Sequence, residues 1–250
     1  MDNNDKSAIS KGIKRILLRA GVSILVALVV GLIISIVNES NMGPKIDELS
    51  GTWQTTRSSE IQWFDVLEQF DFYEEEIQII KDSKPSYISV LGGKFGYSVK
   101  YSELIIFTQD RTYTFKLSET GTKELVQSEL TDIFQTLYDN KEKLSTLYDI
   151  DFTDLTQDEF NNFYALIYDY ASFDEMIENF ASNLTKALAN GYEFEEGTYK
   201  IKGDKIMCIE SGKGREEAIG YTIDGDVLNL QFKAEIGTGT TELIYNRLTN

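Results

Sequence analysis

Residues 199–206 read YKIKGDKI and residues 221–228 read YTIDGDVL, the same phrase at a constant spacing. A tight two-residue turn needs positive φ, which glycine adopts without steric cost. Gly203-Asp204 and Gly225-Asp226 therefore predict two hairpin turns. The Tyr-x-Ile before each turn and the Ile or Leu after it put apolar side chains on one face. The period of two continues through Ile206 and Cys208, through Ile219, Tyr221 and Ile223, through Leu228, Leu230 and Phe232, and through Leu243, Tyr245 and Arg247. Two hairpins in tandem make an antiparallel meander. The repeat is a construction unit, and no catalytic reason demands it.

The chain upstream has two textures. From Gly51 to about Leu117 it reads mainly as strands. RTYTFKL (111–117) alternates, with Tyr113, Phe115 and Leu117 on one face. ELIIFTQ (103–109) reads as a buried strand joined to it by a hairpin at Asp110-Arg111. YISVLGGKFGYSVKY (87–101) predicts two strands around Gly92-Gly93, and EIQII (76–80) a further strand. SSEIQWFDVLEQF (58–70) predicts a short helix opened by Ser59 with Gln62 three residues on. From Thr122 to Asn190 the spacing becomes helical. Val126, Leu130, Ile133, Phe134 and Leu137 mark one helix. Thr156 with Glu159, and Ser172 with Glu175, are capping boxes for two more. Phe173, Met176, Ile177, Phe180, Leu184 and Leu188 form the apolar stripe of the last, closed by Asn190-Gly191.

Composition removes most chemistry. The 250 residues contain no histidine and one cysteine, Cys208. Ser-His-Asp triads, His-ligated metals, disulfides within the chain and Cys-rich zinc sites are excluded. With 24 basic against 41 acidic residues the net charge is −17, which argues against a nucleic-acid partner.

The N-terminus carries a hydrophobic run. Residues 20–37, AGVSILVALVVGLIISIV, contain no charge, and Ile16 to Leu18 extend the run backwards past Arg19. About 20 apolar residues cross a bilayer as a helix. Lys6, Lys11, Lys14, Arg15 and Arg19 precede the run, whereas Asn38, Glu39 and Ser40 follow it. The positive-inside rule then puts the N-terminus in the cytoplasm and the rest outside the cell membrane. A cleaved signal peptide would have a shorter core and a small-residue cleavage site, so the run reads as an uncleaved signal-anchor. Ser23, Ala27, Gly31 and Ser35 fall on one side of that helix, a stripe of the kind that lets two membrane helices approach. The resulting organisation is a cytoplasmic tail (1–15), a transmembrane helix (16–37), a linker (38–50) and an extracytoplasmic domain (51–250) with a helical insert at 122–190.

Leu49-Ser50-Gly51-Thr52-Trp53 opens that domain, and Ile244-Tyr245-Asn246-Arg247-Leu248 closes it. A Gly-x-Trp on the first strand with an Arg on the last resembles the lipocalin or calycin barrel, and in particular small bacterial lipocalin-like domains. The resemblance covers roughly 51–57, 103–117 and 197–248. It implies a closed barrel in which Trp53 plugs one end and Arg247 packs across it, with Gly51 beside them. The helical insert is a departure from that family's pattern.

The expected fold is therefore α+β: an antiparallel lipocalin-like β-barrel with a three-helix insertion, preceded by one transmembrane helix. Other clusters read blandly. Asp149, Asp151, Asp154 and Asp158 resemble a calcium loop, yet Asp154 and Phe160 stand where an EF-hand needs Gly and Glu; helix capping explains these acids better. Glu74 to Glu76, and Glu193, Glu195 and Glu196, read as solvated faces rather than a glycosidase pair. Cys208 reads as a buried small side chain, since no histidine is present to activate it. The sequon at Asn183 falls on a predicted helix. The fourteen Tyr and fourteen Phe read chiefly as core, with a ligand cradle as the other reading. The expected function is a non-catalytic, membrane-anchored binding module with no cofactor or metal, holding a small apolar ligand. The alternative is an envelope protein that binds a partner through the helical insert or the anchor.

Overall fold

Eight strands close into an antiparallel barrel in simple up-and-down order. Residues 48–84, 87, 88, 94, 95, 97–214, 216–233 and 240–249 are described by the structure, a computed structural model. The expected membrane helix at 16–37, its small-residue stripe and most of the linker lie outside these residues, as does the Gly92-Gly93 turn. No helix among the described residues is long and apolar enough to cross a membrane.

The barrel strands are β1 (Gly51–Gln62), β4 (Ser98–Phe107), β5 (Thr112–Leu117), β6 (Glu195–Lys202), β7 (Lys205–Glu210), β8 (Glu216–Asp224), β9 (Val227–Lys233) and β10 (Thr240–Arg247). Each pairs with its successor, and β10 returns to β1. Closure removes the unpaired edges that an open sheet would expose. A small separate pair, β2 (Tyr87–Ile88) with β3 (Lys94–Phe95), lies between β1 and β4.

The repeated phrase forms the β6–β7 and β8–β9 hairpins. Lys202 pairs with Lys205, and Asp224 with Val227, leaving Gly203-Asp204 and Gly225-Asp226 as two-residue loops. Gly203 has φ +66° and Gly225 φ +58°, while the aspartates keep negative φ. Positive φ at the first loop position alone is the II′ pattern, whose twist matches that of the strands. Alternate residues then fill the barrel: Tyr199, Ile201, Ile206, Cys208, Ile219, Leu228, Leu230 and Tyr245 are all buried.

Two insertions leave the same end of the barrel. The first holds α1 (Trp63–Gln69) and α2 (Glu74–Ser83); the second holds α3 (Glu119–Asp139), α4 (Lys141–Tyr148), α5 (Gln157–Ile167) and α6 (Phe173–Gly191). Their apolar faces meet in one cluster that includes Trp63, Leu67, Ile80, Leu130, Phe134, Phe160 and Met176, and reaches Val99 of β4. Rings concentrate here, as in the stacked Phe70–Phe180 pair at 4.2 Å. The lobe is tied to the sheet by backbone. β5 ends at Leu117, and the next residues take over its pairing: Ser118 N donates to Ser102 O (2.8 Å), and Ser102 N donates to Thr122 Oγ1 (3.0 Å). β1 breaks register with β4 between Ser58 and Gln62, and Trp63 N donates to Tyr97 O (2.7 Å). That bulge bends β1 out of the barrel and into the helical lobe.

Several expectations are corrected. The insertion has four helices over 119–191, not three over 122–190. Asn140 (φ −114°, ψ 19°) interrupts the first long helix and starts a short one at 141–148, whose polar sequence hid it. EIQII is helix rather than strand, because Ile77, Ile79 and Ile80 face the helical core and Glu76 closes a capping box on Tyr73. Ser59 and Gln62 lie on β1 and cap nothing by side chain; α1 starts at Trp63. The Thr156–Glu159 capping box forms. At α6, Ser172 accepts from Glu175 N (3.2 Å), but Glu175 turns to Ala171 N instead of completing the box. Gly191 remains in α6, and extended Tyr192 caps it.

Candidate functional site

The two ends of the barrel differ. At one end β1 begins and β10 finishes, with Trp53 paired to Arg247. The Arg247 guanidinium lies over the Trp53 ring at 4.1 Å, and the indole is fully buried. Such a contact is worth about 0.5–2 kcal/mol. Gly51 (φ +143°) lies against the same guanidinium: a side chain there would meet Arg247 Nη1 at 2.7 Å. Arg247 also reaches back to the second hairpin, where its Nε is 3.4 Å from Asp226 Oδ1 and its backbone N donates to Asp226 O (2.8 Å). This end is plugged.

The other end opens into a cavity of about 960 Å3. Phe115, Ile219, Phe232 and Leu243 supply apolar wall, and the 192–194 segment leading into β6 supplies the lip. Below lies a polar floor. Glu103, on β4, is buried. Its Oε2 accepts from Arg57 Nη1 (2.9 Å) and from Tyr192 Oη (2.8 Å), and its Oε1 accepts from Tyr245 Oη. Glu103 overcomes the burial of the Arg57 guanidinium and holds its pKa above the ordinary range. Burial, and then Glu103, push the Tyr192 and Tyr245 phenols up, so both remain donors. The floor is thus a neutralised pair with its hydrogen bonds made, the arrangement a buried charge requires.

The rim is acidic. Glu195, Glu210 and Glu217 occupy the inward parity of β6, β7 and β8, the parity of Gly197, Cys208 and Ile219. Tyr113 Oη donates to Glu195 Oε1 (2.6 Å), and Lys213 Nζ is 2.7 Å from Glu210 Oε1. Just below, burial and then Glu195 and Glu217 push the Cys208 thiol up to about 12. A thiol so protonated is no nucleophile.

The residues singled out by sequence are scattered by comparison. Trp53, Arg247 and Gly51 meet at the plugged end. Asp149 caps α4 in a left-handed conformation, and Asp151 accepts from Thr153 N (2.9 Å). No group of acidic or thiol side chains among the described residues is placed to hold a metal. The two glutamate runs are corrected in part: Glu74, Glu75, Glu193 and Glu196 are exposed as expected, while Glu76 and Glu195 are not. Glu76 is buried in the helical lobe rather than solvated, because Tyr164 and Tyr148 donate to its Oε1 and Tyr73 N to its Oε2. Glu193 and Glu195 line the cavity. Sequence reasoning missed Arg57, Glu103, Glu210 and Glu217. The available signal was parity: the alternation that puts Trp53 inside puts Arg57 inside, and Glu103 shares its face with Ile105 and Phe107.

The architecture is an α+β chain built on a closed eight-strand antiparallel barrel, consistent with a lipocalin-like barrel. Comparison of the chain with models of known families, with curated proteins and with solved structures finds no match.

Proposed function

We propose that the protein is a non-catalytic binding module of lipocalin-like type that takes a small molecule into the open end of its barrel. One observation carries this reading. A cavity of about 960 Å3 opens at the end opposite the Trp53–Arg247 plug, within the size range of small-molecule sites. Apolar walls over a satisfied polar floor offer surface to bury and groups to orient a ligand. Among the described residues of the rim, none pairs a nucleophile with a base, in keeping with a carrier or sensor rather than an enzyme. The hydrophobic run at 16–37 supports tethering of the barrel outside the cell membrane.

Native mass spectrometry of the full chain, released from lipid discs after purification from its own cells, tests the reading. The expected spectrum shows an added mass of small-molecule size that is lost when Phe232→Trp narrows the cavity. A spectrum of bare chain alone, with no uptake from a panel of small amphiphiles, overturns it. A second reading rests on Leu166, 76% exposed, and Ile167 beside it at the end of α5. There the helical insert would dock an envelope partner, and cross-linking at Leu166 that captures one protein in stoichiometric yield would favour it.

A further inference from the structure

We infer that the ligand of the barrel cavity is an organic cation, an amine or guanidine carried on an apolar body. This rests on the binding reading above and adds the sign of the ligand. Among the described residues, five carboxylates line the cavity against three cationic side chains. Glu103 and Arg57 neutralise each other in the floor at 2.9 Å. What remains toward the mouth is Glu193, Glu195, Glu210 and Glu217 against Lys213 and Lys233. Lys213 is committed to Glu210, which leaves the described residues of the lip net negative over an apolar wall. Such walls concentrate the field of the charges above them.

The rim already holds one cation. Lys213, on the β7–β8 turn, has its ammonium pKa raised by its hydrogen bond to Glu210, with Glu193 and Glu195 also contributing. Glu193 and Glu195 come from the lip before β6, so carboxylates of two separate segments converge on one cation. Rings stand where a cation would pass: Phe194 at the lip is 58% exposed, and Phe115 and Phe232 face the cavity. Aromatic faces attract ammonium and guanidinium groups. An anionic ligand would meet the same carboxylates as repulsion. A neutral one would use the walls alone.

The test is calorimetry of the full chain in zwitterionic lipid discs, with empty discs as blank. The probes are 3-phenylpropylammonium, 3-phenylpropanol and 3-phenylpropanoate, which share one body and differ in charge. The ammonium is expected to bind about tenfold tighter than the alcohol, and the carboxylate weakest. Raised salt should weaken only the ammonium. Glu193→Gln and Glu217→Gln alter exposed side chains that make no hydrogen bond or ion pair among the described residues. Together they should remove most of the ammonium's advantage over the alcohol. Equal binding of the three, or preference for the carboxylate, overturns the cation inference while leaving the binding module standing. No binding of any probe at millimolar concentration overturns both.

Discussion

Glu103 and Glu76 are both buried glutamates, and the molecule neutralises them by opposite means. In the barrel, Glu103 has a full counter-charge in Arg57 and two phenols besides. In the helical lobe, the described partners of Glu76 are two phenols and a backbone N–H. Arg57 can serve because its side chain is 40% exposed and keeps contact with water at the cavity. The centre of the lobe has no such access: Tyr164, Phe160 and Ile80 around Glu76 are fully buried. A guanidinium there would bring a second desolvation cost, whereas a tyrosine brings a donor on an apolar ring. The open cavity and the closed core thus select different partners for the same side chain.

The largest effect should come from breaking the charged pair on its buried side. Arg57→Met leaves Glu103 buried with its phenol donors but without its counter-charge. We expect a loss of about 3 kcal/mol in unfolding free energy at pH 7, read by urea titration. Glu103→Gln leaves instead a guanidinium that can turn to solvent, at a cost of about 1 kcal/mol. The double variant Arg57→Met, Glu103→Gln should recover most of the difference. Equal losses from the two single variants would show that exposure of Arg57 is not what makes the pair tolerable.

Glu76→Gln probes the other strategy through pH. Desolvation raises the folded-state pKa of Glu76 above its ordinary 4.5, and the donated hydrogen bonds only partly oppose this. A raised carboxyl favours the protonated folded state. Its stabilising contribution is therefore complete below pH 4.5 and is lost as pH rises through the folded value. The wild-type chain should lose stability relative to Glu76→Gln across that interval, and the two curves should run parallel at higher pH. Urea titrations at half-unit steps from pH 4 to pH 8 measure this. A difference independent of pH would mean that Glu76 is charged at no cost in the lobe.

How far the sequence foretold these regions follows the range of the interactions. Local signals were legible. Gly203 and Gly225 announced their hairpins, Thr156 and Glu159 announced α5, and the stripe from Phe173 to Leu188 announced α6. The Gly51, Trp53 and Arg247 set suggested where the barrel shuts, because its residues sit at the two ends of one domain. Buried carboxylates were not legible. Glu76 stands in a run of three glutamates whose neighbours Glu74 and Glu75 are exposed, and its donors Tyr148 and Tyr164 lie far along the chain. The cavity suffered likewise. Glu195, Glu210 and Glu217 come together only when three strands stand side by side, so no window of the sequence shows them as a set. EIQII misled because a short apolar run has no period of its own.

Glu129 is intermediate and gives the smaller tests. It accepts from Trp63 Nε1 (2.9 Å) within the lobe, while Lys100 Nζ lies 3.2 Å from its other oxygen at the surface. It combines the phenol-like solution of Glu76 with the cationic solution of Glu103. Trp63→Phe keeps a ring in the core and removes the buried donor, and should cost about 1–2 kcal/mol.

Lys100→Ala should cost less than about 1 kcal/mol, because half of that side chain is in water and an exposed ammonium gains little from its pair. The order of these two losses decides which partner the carboxylate depends on. If Lys100→Ala is the costlier in urea titration at low salt, and 0.5 M sodium chloride abolishes its excess, the ammonium is the main partner of Glu129. The lobe would then rely on charge just as the barrel does. If the indole is the costlier and salt changes nothing, neutral donors on rings carry the buried acids of the lobe, and the contrast with Arg57 and Glu103 holds at a third site.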